Sequence, residues 1–227
     1  KDVLSAKASF SANGSDGQSQ ERYRGLNADG SIDGDYLRSS VRDNDNRSYS
    51  LSGGLDHKGA RPGEILKVDL RLSGNKGEAD TRFASDYTVR PANSTAPRTH
   101  QNNLTETRVI DFTGDYELPG EKGVFKAGYK VAQNSNVFDT RFFNVDEATL
   151  AESLSNQRTN RFELDETTVA LYGTYQLRLA EKWGLLGGLR TEYTDLDLNQ
   201  VTTNVKANNH YFDAIPSAFL TYDLSDD

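Results

Sequence analysis

Arg190 and Glu192 stand two residues apart in the run WGLLGGLRTEYT, so on an extended backbone both side chains fall on the same side. A guanidinium and a carboxylate so placed could line a site for a polar solute. They could equally belong to a structural ladder of charges, joined across strands by Lys126, Lys130 or Arg178. The ladder is the reading adopted here, because the wet face of a sheet carries such charges as ordinary architecture.

No other set of residues has the spacing of a reactive centre. The three histidines, His57, His100 and His210, show no metal-ligand spacing, and no Gly-x-Ser-x-Gly elbow or glycine-rich phosphate loop occurs. In NADGSIDGDY, aligning Gly30 with the sixth position of a calcium loop leaves Gly25 and Tyr36 where oxygen ligands are needed. That segment reads as a solvated loop, as does the charged run from Arg42 to Arg47. With no cysteine, thiolate metal sites and disulfides are excluded. The expectation is a chain with no catalytic set, no cofactor and no metal, and therefore not an enzyme.

Formal charge is −8 with a pI near 5.0, and the 26 Lys and Arg form no basic stripe, which argues against a nucleic-acid partner. Mean hydropathy is −0.73, and no run approaches the roughly 20 apolar residues of a membrane helix. The same low value suits strands in which every second residue meets water.

Alternation of that kind runs through the whole chain. Trp183, Leu185, Gly187, Leu189 and Tyr193 share one face, against Gly188, Arg190 and Glu192. Pro216, Ala218, Leu220, Tyr222 and Leu224 oppose Ser217, Thr221 and Asp223, with Phe219 as an exception. Earlier runs repeat the pattern at Leu4–Phe10, Tyr49–Leu55, Leu66–Leu72, Ile110–Leu118, Phe125–Val131 and Val169–Leu179. This predicts about eight long antiparallel strands. Apolar faces that are thin, rich in Gly and Ala and end in Tyr or Trp suit lipid on one side and water on the other, as in a transmembrane β-barrel.

Connections fall into two kinds. Lys58–Gly63, Pro119–Gly123 and Ala180–Lys182 read as tight turns, while Gly25–Asn44, Val89–Asn103, Asn144–Phe162 and Gln200–Asn209 read as long polar loops. Short turns on one side and long loops on the other fit an outer-membrane barrel. Within the third loop, Asp146–Asn156 has helical propensity, with Asp146 as an N-cap.

The runs FTGDYELPGEKGVFKAGYK, FELDETTVALYGTY, EKWGLLGGLRTEYT and YFDAIPSAFLTYDLSDD together resemble the barrel region of TonB-dependent outer-membrane receptors. Gly188, Leu189, Arg190, Glu192 and Thr194 match one strand pattern of that family. Tyr211, Pro216, Ser217, Tyr222, Ser225 and Asp226 match another. The match is good over the second half of the chain; before Asp111 only alternation and loop asymmetry fit. The resemblance implies a segment of a larger barrel of about 22 strands, contacting outer-membrane lipid. It also implies import of a small, scarce solute, such as a siderophore or carbohydrate, powered by TonB through a plug domain not found in this sequence.

Two other readings stay open on sequence: a complete eight-stranded outer-membrane pore, and a soluble β-sandwich binding module whose apolar stripes meet in a dry core. An isolated barrel segment would also carry two unpaired strand edges.

Overall fold

The computed structural model describes residues 1–92, 94 and 96–224. They form one antiparallel sheet: β1 (Asp2–Leu26), β2 (Ile32–Lys58), β3 (Ile65–Val89), β4 (Arg98–Pro119), β5 (Gly123–Val145), β6 (Glu152–Leu154), β7 (Asn160–Ala180), β8 (Trp183–Gln200) and β9 (Val205–Tyr222). The order β1-β2-β3-β4-β5-β7-β8-β9 follows the chain, and the short β6 pairs with β5 beside this path. Eight long strands, as the alternation predicts, therefore make up the wall. β1 and β9 do not pair with each other.

The register sorts every strand into two faces. Leu189 lies opposite Gly173 and Pro216, whereas Arg190 lies opposite Tyr172 and Ile215. The apolar stripes align across the sheet and stay open: Leu4 is 81% exposed, Leu171 59% and Leu220 61%. Ala132, Ala170 and Thr194 line up on the other face and are nearly buried. No second layer covers them among the described residues, so it is the larger side chains of neighbouring strands on the same face that hide these small groups. The sandwich reading is thereby overturned, because the stripes point away from the crowded side and never meet.

Trp183 packs against Tyr222 at one end of the apolar stripe, with ring centroids 4.8 Å apart and planes tilted by 51°. Tyr193 and its pair partner Phe212 mark the other end, ten residues further along β8. At about 3.4 Å per residue and a tilt of about 40°, that run spans about 26 Å, the height of an outer-membrane apolar band.

Strands of 25 and 27 residues far exceed the 9–11 needed to cross a bilayer. The excess lies at the end away from the tight turns 59–64, 120–122 and 181–182. Most of the expected loops Gly25–Asn44 and Gln200–Asn209, and nearly half of Val89–Asn103, are thus strand, and Arg42–Arg47 sits in mid-β2 rather than at a tip. These extensions meet water on both faces, so no hydrophobic alternation marks them. Unbroken pairing with a neighbour overrides the poor strand propensity of their Ser, Asn, Asp and Gly residues.

The expected helix at Asp146–Asn156 is absent. Asp146 does cap, accepting from the Ala148 and Thr149 amides at 3.1 and 2.8 Å, but only a turn follows. Leu150 then takes a positive φ of 58°, which no right-handed helix accommodates, and β6 begins. Ser225 and Asp226, part of the sequence pattern at the chain's end, lie outside the described residues.

Candidate functional site

All five charged candidates share the polar face. Lys126 and Lys130 on β5 lie opposite Thr174 and Ala170 on β7, and Ala170 lies opposite Glu192 on β8. Arg178 and Arg190 belong to the same parity. The face carries a row of charged pairs, but they are not the cross-strand partners expected for Arg190 and Glu192. Arg190 bonds Glu192 on its own strand, Nη2 to Oε2 at 2.8 Å. Lys126 pairs with Glu117 at 2.8 Å and Lys130 approaches Asp111 at 3.6 Å, both on β4. Arg178 turns to the tight end and donates to the Glu181 carbonyl at 2.8 Å. The reason is register. Glu192 and Lys130 share a row, but β7 stands between their strands and contributes only Ala170 there.

Tyr172 joins this wall by donating its hydroxyl to Asp115, two strands away. Its ring reaches across Gly128, the residue opposite it on β5. The arrangement offers fixed, mostly neutralised charge along a wetted wall. It contains no nucleophile beside a base, and no group of acidic, His or Cys side chains among the described residues could hold a metal.

Above the apolar band the opposite face also carries clusters that sequence reading missed. His100 faces Asp80 Oδ2 through Nε2 at 2.6 Å and Glu152 through Nδ1 at 3.0 Å. This pins β6 and its turn against β3 and β4. Arg161 bridges Glu163 and Asp139 at 2.8 and 3.4 Å. The Arg161–Glu163 step has the same two-residue spacing as Arg190–Glu192 and could have been read from it, whereas only strand pairing brings Asp139 to Arg161 and Asp80 and Glu152 to His100.

Asp35 is the clearest electrostatic lock of the extensions. Arg22 grips its carboxylate with two hydrogen bonds of 3.0 Å, and Arg24 adds two of 3.3 and 3.0 Å. The Arg22 hydrogen bonds foremost, then those of Arg24, hold the Asp35 pKa down to about 2, against the opposing pull of desolvation. A depressed folded-state value means the lock stabilises the β1–β2 tip above the ordinary carboxylate pKa of about 3.9 and fades as pH falls through about 2. Hydrogen exchange of the 20–38 amides should therefore accelerate over that acid window. The Asp35→Asn variant should exchange fast at neutral pH and show no such step; an acid step that persists in it would assign the effect elsewhere.

Similar solved structures include the ferric citrate transporter FecA in its unliganded form, 11% identical with a TM-score of 0.42, covering 93% of this chain and 37% of that one. The ferric yersiniabactin uptake receptor FyuA from Yersinia pestis is 10% identical, with a TM-score of 0.38 and coverage of 100% and 44%. The copper transporter OprC is 16% identical, with a TM-score of 0.42 and coverage of 99% and 42%. This chain thus spans less than half the length of each. No curated protein matches it in sequence. Residues 57–227 match the outer membrane protein beta-barrel family, and the chain, with its outward apolar stripes and single antiparallel sheet, belongs to that family.

Proposed function

We propose that this chain forms part of the wall of a TonB-dependent receptor, a barrel that binds a scarce solute and imports it, without bond chemistry of its own. In this reading the polar face lines the lumen, and Arg190, Glu192, Lys126, Lys130 and Arg178 belong to its inner wall. The observation that carries it is the sheet of eight long strands whose two outer strands leave each other unpaired. Backbone groups on those edges would face lipid unpaired, which favours a reading in which further strands complete the wall and the barrel is wider than an eight-stranded one. A wider lumen with a charged lining suits passage of a bulky polar solute. The complete eight-stranded pore would need β1 and β9 to join.

Uptake tests this directly. Cells expressing the full-length protein should accumulate a radiolabelled solute from a panel of siderophores, carbohydrates and cobalamin, and loss of TonB should abolish the accumulation. Steady ion conductance of the purified protein in planar bilayers, with uptake indifferent to TonB, would instead establish a passive pore.

A further inference from the structure

An aromatic and cationic row lies high on the polar face, far from the Arg190–Glu192 wall and on the other side of β1 and β2 from the Asp35 lock. Tyr23, Tyr36 and Tyr87 occupy facing positions on β1, β2 and β3. Tyr23 and Tyr36 stack at 5.1 Å with an interplanar angle of 17°, and Tyr36 and Tyr87 follow at 4.9 Å and 45°. One turn of alternation lower, the Arg38 guanidinium sits 4.0 Å over the Phe83 ring, while Arg90 sits 5.4 Å from the Tyr87 ring. The row is on the order of 30 Å beyond Tyr49, the aromatic that closes the apolar stripe of β2, and so stands clear of the bilayer.

Membrane anchoring cannot explain these rings. They share the face of Ser48, Ser50 and Ser52, not that of the lipid-facing stripe. Nor are they a sealed core: Tyr23 is 39% exposed, Tyr36 and Tyr87 are half-buried, and among the described residues neither the Tyr36 nor the Tyr87 hydroxyl has a hydrogen-bond partner. Arg38 Nε is buried without a hydrogen-bond partner, a donor left unmet. Charge is biased as well. Arg38 lies opposite Glu21, whose carboxylate the Tyr23 hydroxyl already occupies at 2.5 Å, and Arg90 stands over the Tyr87 ring, in a chain whose total charge is −8. Phenol rings and hydroxyls beside guanidinium groups recognise flat, electron-rich anions by stacking and by charge-assisted hydrogen bonds.

We propose that Tyr23, Tyr36 and Tyr87, with Arg38, form a docking platform at the outer mouth for an anionic solute bearing flat rings. This deepens the receptor reading and rests on its placing the polar face inside the barrel. Rings offer stacking surface, Arg38 supplies charge and an unsatisfied donor, and the free tyrosine hydroxyls set orientation. The platform belongs to strands rather than to a flexible loop, so it is already formed before the solute arrives.

The test uses pyrene tetrasulfonate, a planar polyanion that stays out of detergent, with the full-length protein and fluorescence anisotropy. Saturable binding is expected, weakened tenfold or more by Tyr36→Ala and by Arg38→Gln, and unchanged by Arg47→Gln on the opposite face. The same pyrene carrying a trimethylammonium group should not saturate. Heat-modifiable gel mobility checks that each variant is folded. Should Tyr36→Ala fail to fold, Arg38→Gln, which keeps all three rings, decides the matter. Absence of saturable binding by the wild type, or equal binding by the folded variants, overturns the platform. TonB-dependent uptake could survive that result, whereas TonB-independent conductance with intact probe binding would remove the receptor reading and leave the platform standing.

Discussion

Leu189→Arg should destabilise the protein in lipid by about 2–4 kcal/mol, the cost of placing a guanidinium near the bilayer midplane on the outward side of a barrel. Leu189 is 51% exposed and lies between Trp183 and Tyr193, the aromatics that end the stripe on its strand. Nothing on that side can pair with the charge, since Gly173 and Pro216 flank it across the sheet. Thr174 lies opposite Gly188, at nearly the same depth on the other face, so Thr174→Arg should cost less than about 1 kcal/mol because water reaches it. Urea unfolding from lipid vesicles, followed through the single Trp183, reads both. A larger loss at Thr174 would show that the faces are assigned the wrong way round, and equal losses that neither faces lipid alone. In the bacterial outer membrane this difference is what holds the wall at its proper height.

Gly128→Val should lower stability by about 1–3 kcal/mol through overpacking, and for a reason visible in the wall itself. A β-carbon at Gly128 would stand 2.5 Å from Tyr172 Cε1 and 2.6 Å from the Gly114 carbonyl oxygen. The ring could swing away, but only by giving up its hydrogen bond to Asp115; the carbonyl belongs to the β4 backbone and cannot move alone. Gly187 provides the contrast, since a β-carbon there meets nothing within 4 Å, and Gly187→Ala should be neutral. A Gly128→Val midpoint equal to wild type in the same urea titration would mean that the sheet relaxes freely around Tyr172. Tyr172→Ala alone should also lose stability, and combining it with Gly128→Val should give less than the sum, because both act on one contact.

The membrane-spanning half of each strand could be read from residues because lipid and water impose opposite demands on alternate positions. Leu66, Val68, Leu70 and Leu72 against Lys67, Asp69 and Arg71 needs no further information to be placed on two faces. The upper halves were hidden for the complementary reason. Asn44, Asp45 and Asn46 face water on either side, so nothing in their order distinguishes a strand from a loop. Only the register shows Asn46 lying between Asn13 and Gly77.

The candidate wall shows the same division. That Arg190 and Glu192 share a side follows from their spacing, and the structure keeps them there. Which acid meets Lys126 depends on which residue of β4 lies alongside, and Glu117 could be named only from pairing. The tyrosine row was beyond reach altogether: Tyr23, Tyr36 and Tyr87 are scattered over 65 positions and converge only when three strands align.

Neighbours in the sheet are neighbours in the chain, with no crossover among the eight long strands. Adjoining strands are thus joined chiefly by backbone pairing and a two-residue rhythm, with a few side chains, such as Tyr172 reaching Asp115 over β5, tying hairpins together. Such a wall can be lengthened or shortened by whole hairpins wherever no such tie crosses the join. Its girth is therefore open to change by gene duplication, while the chemistry of any one rung, such as the Arg190–Glu192 step, is carried along intact.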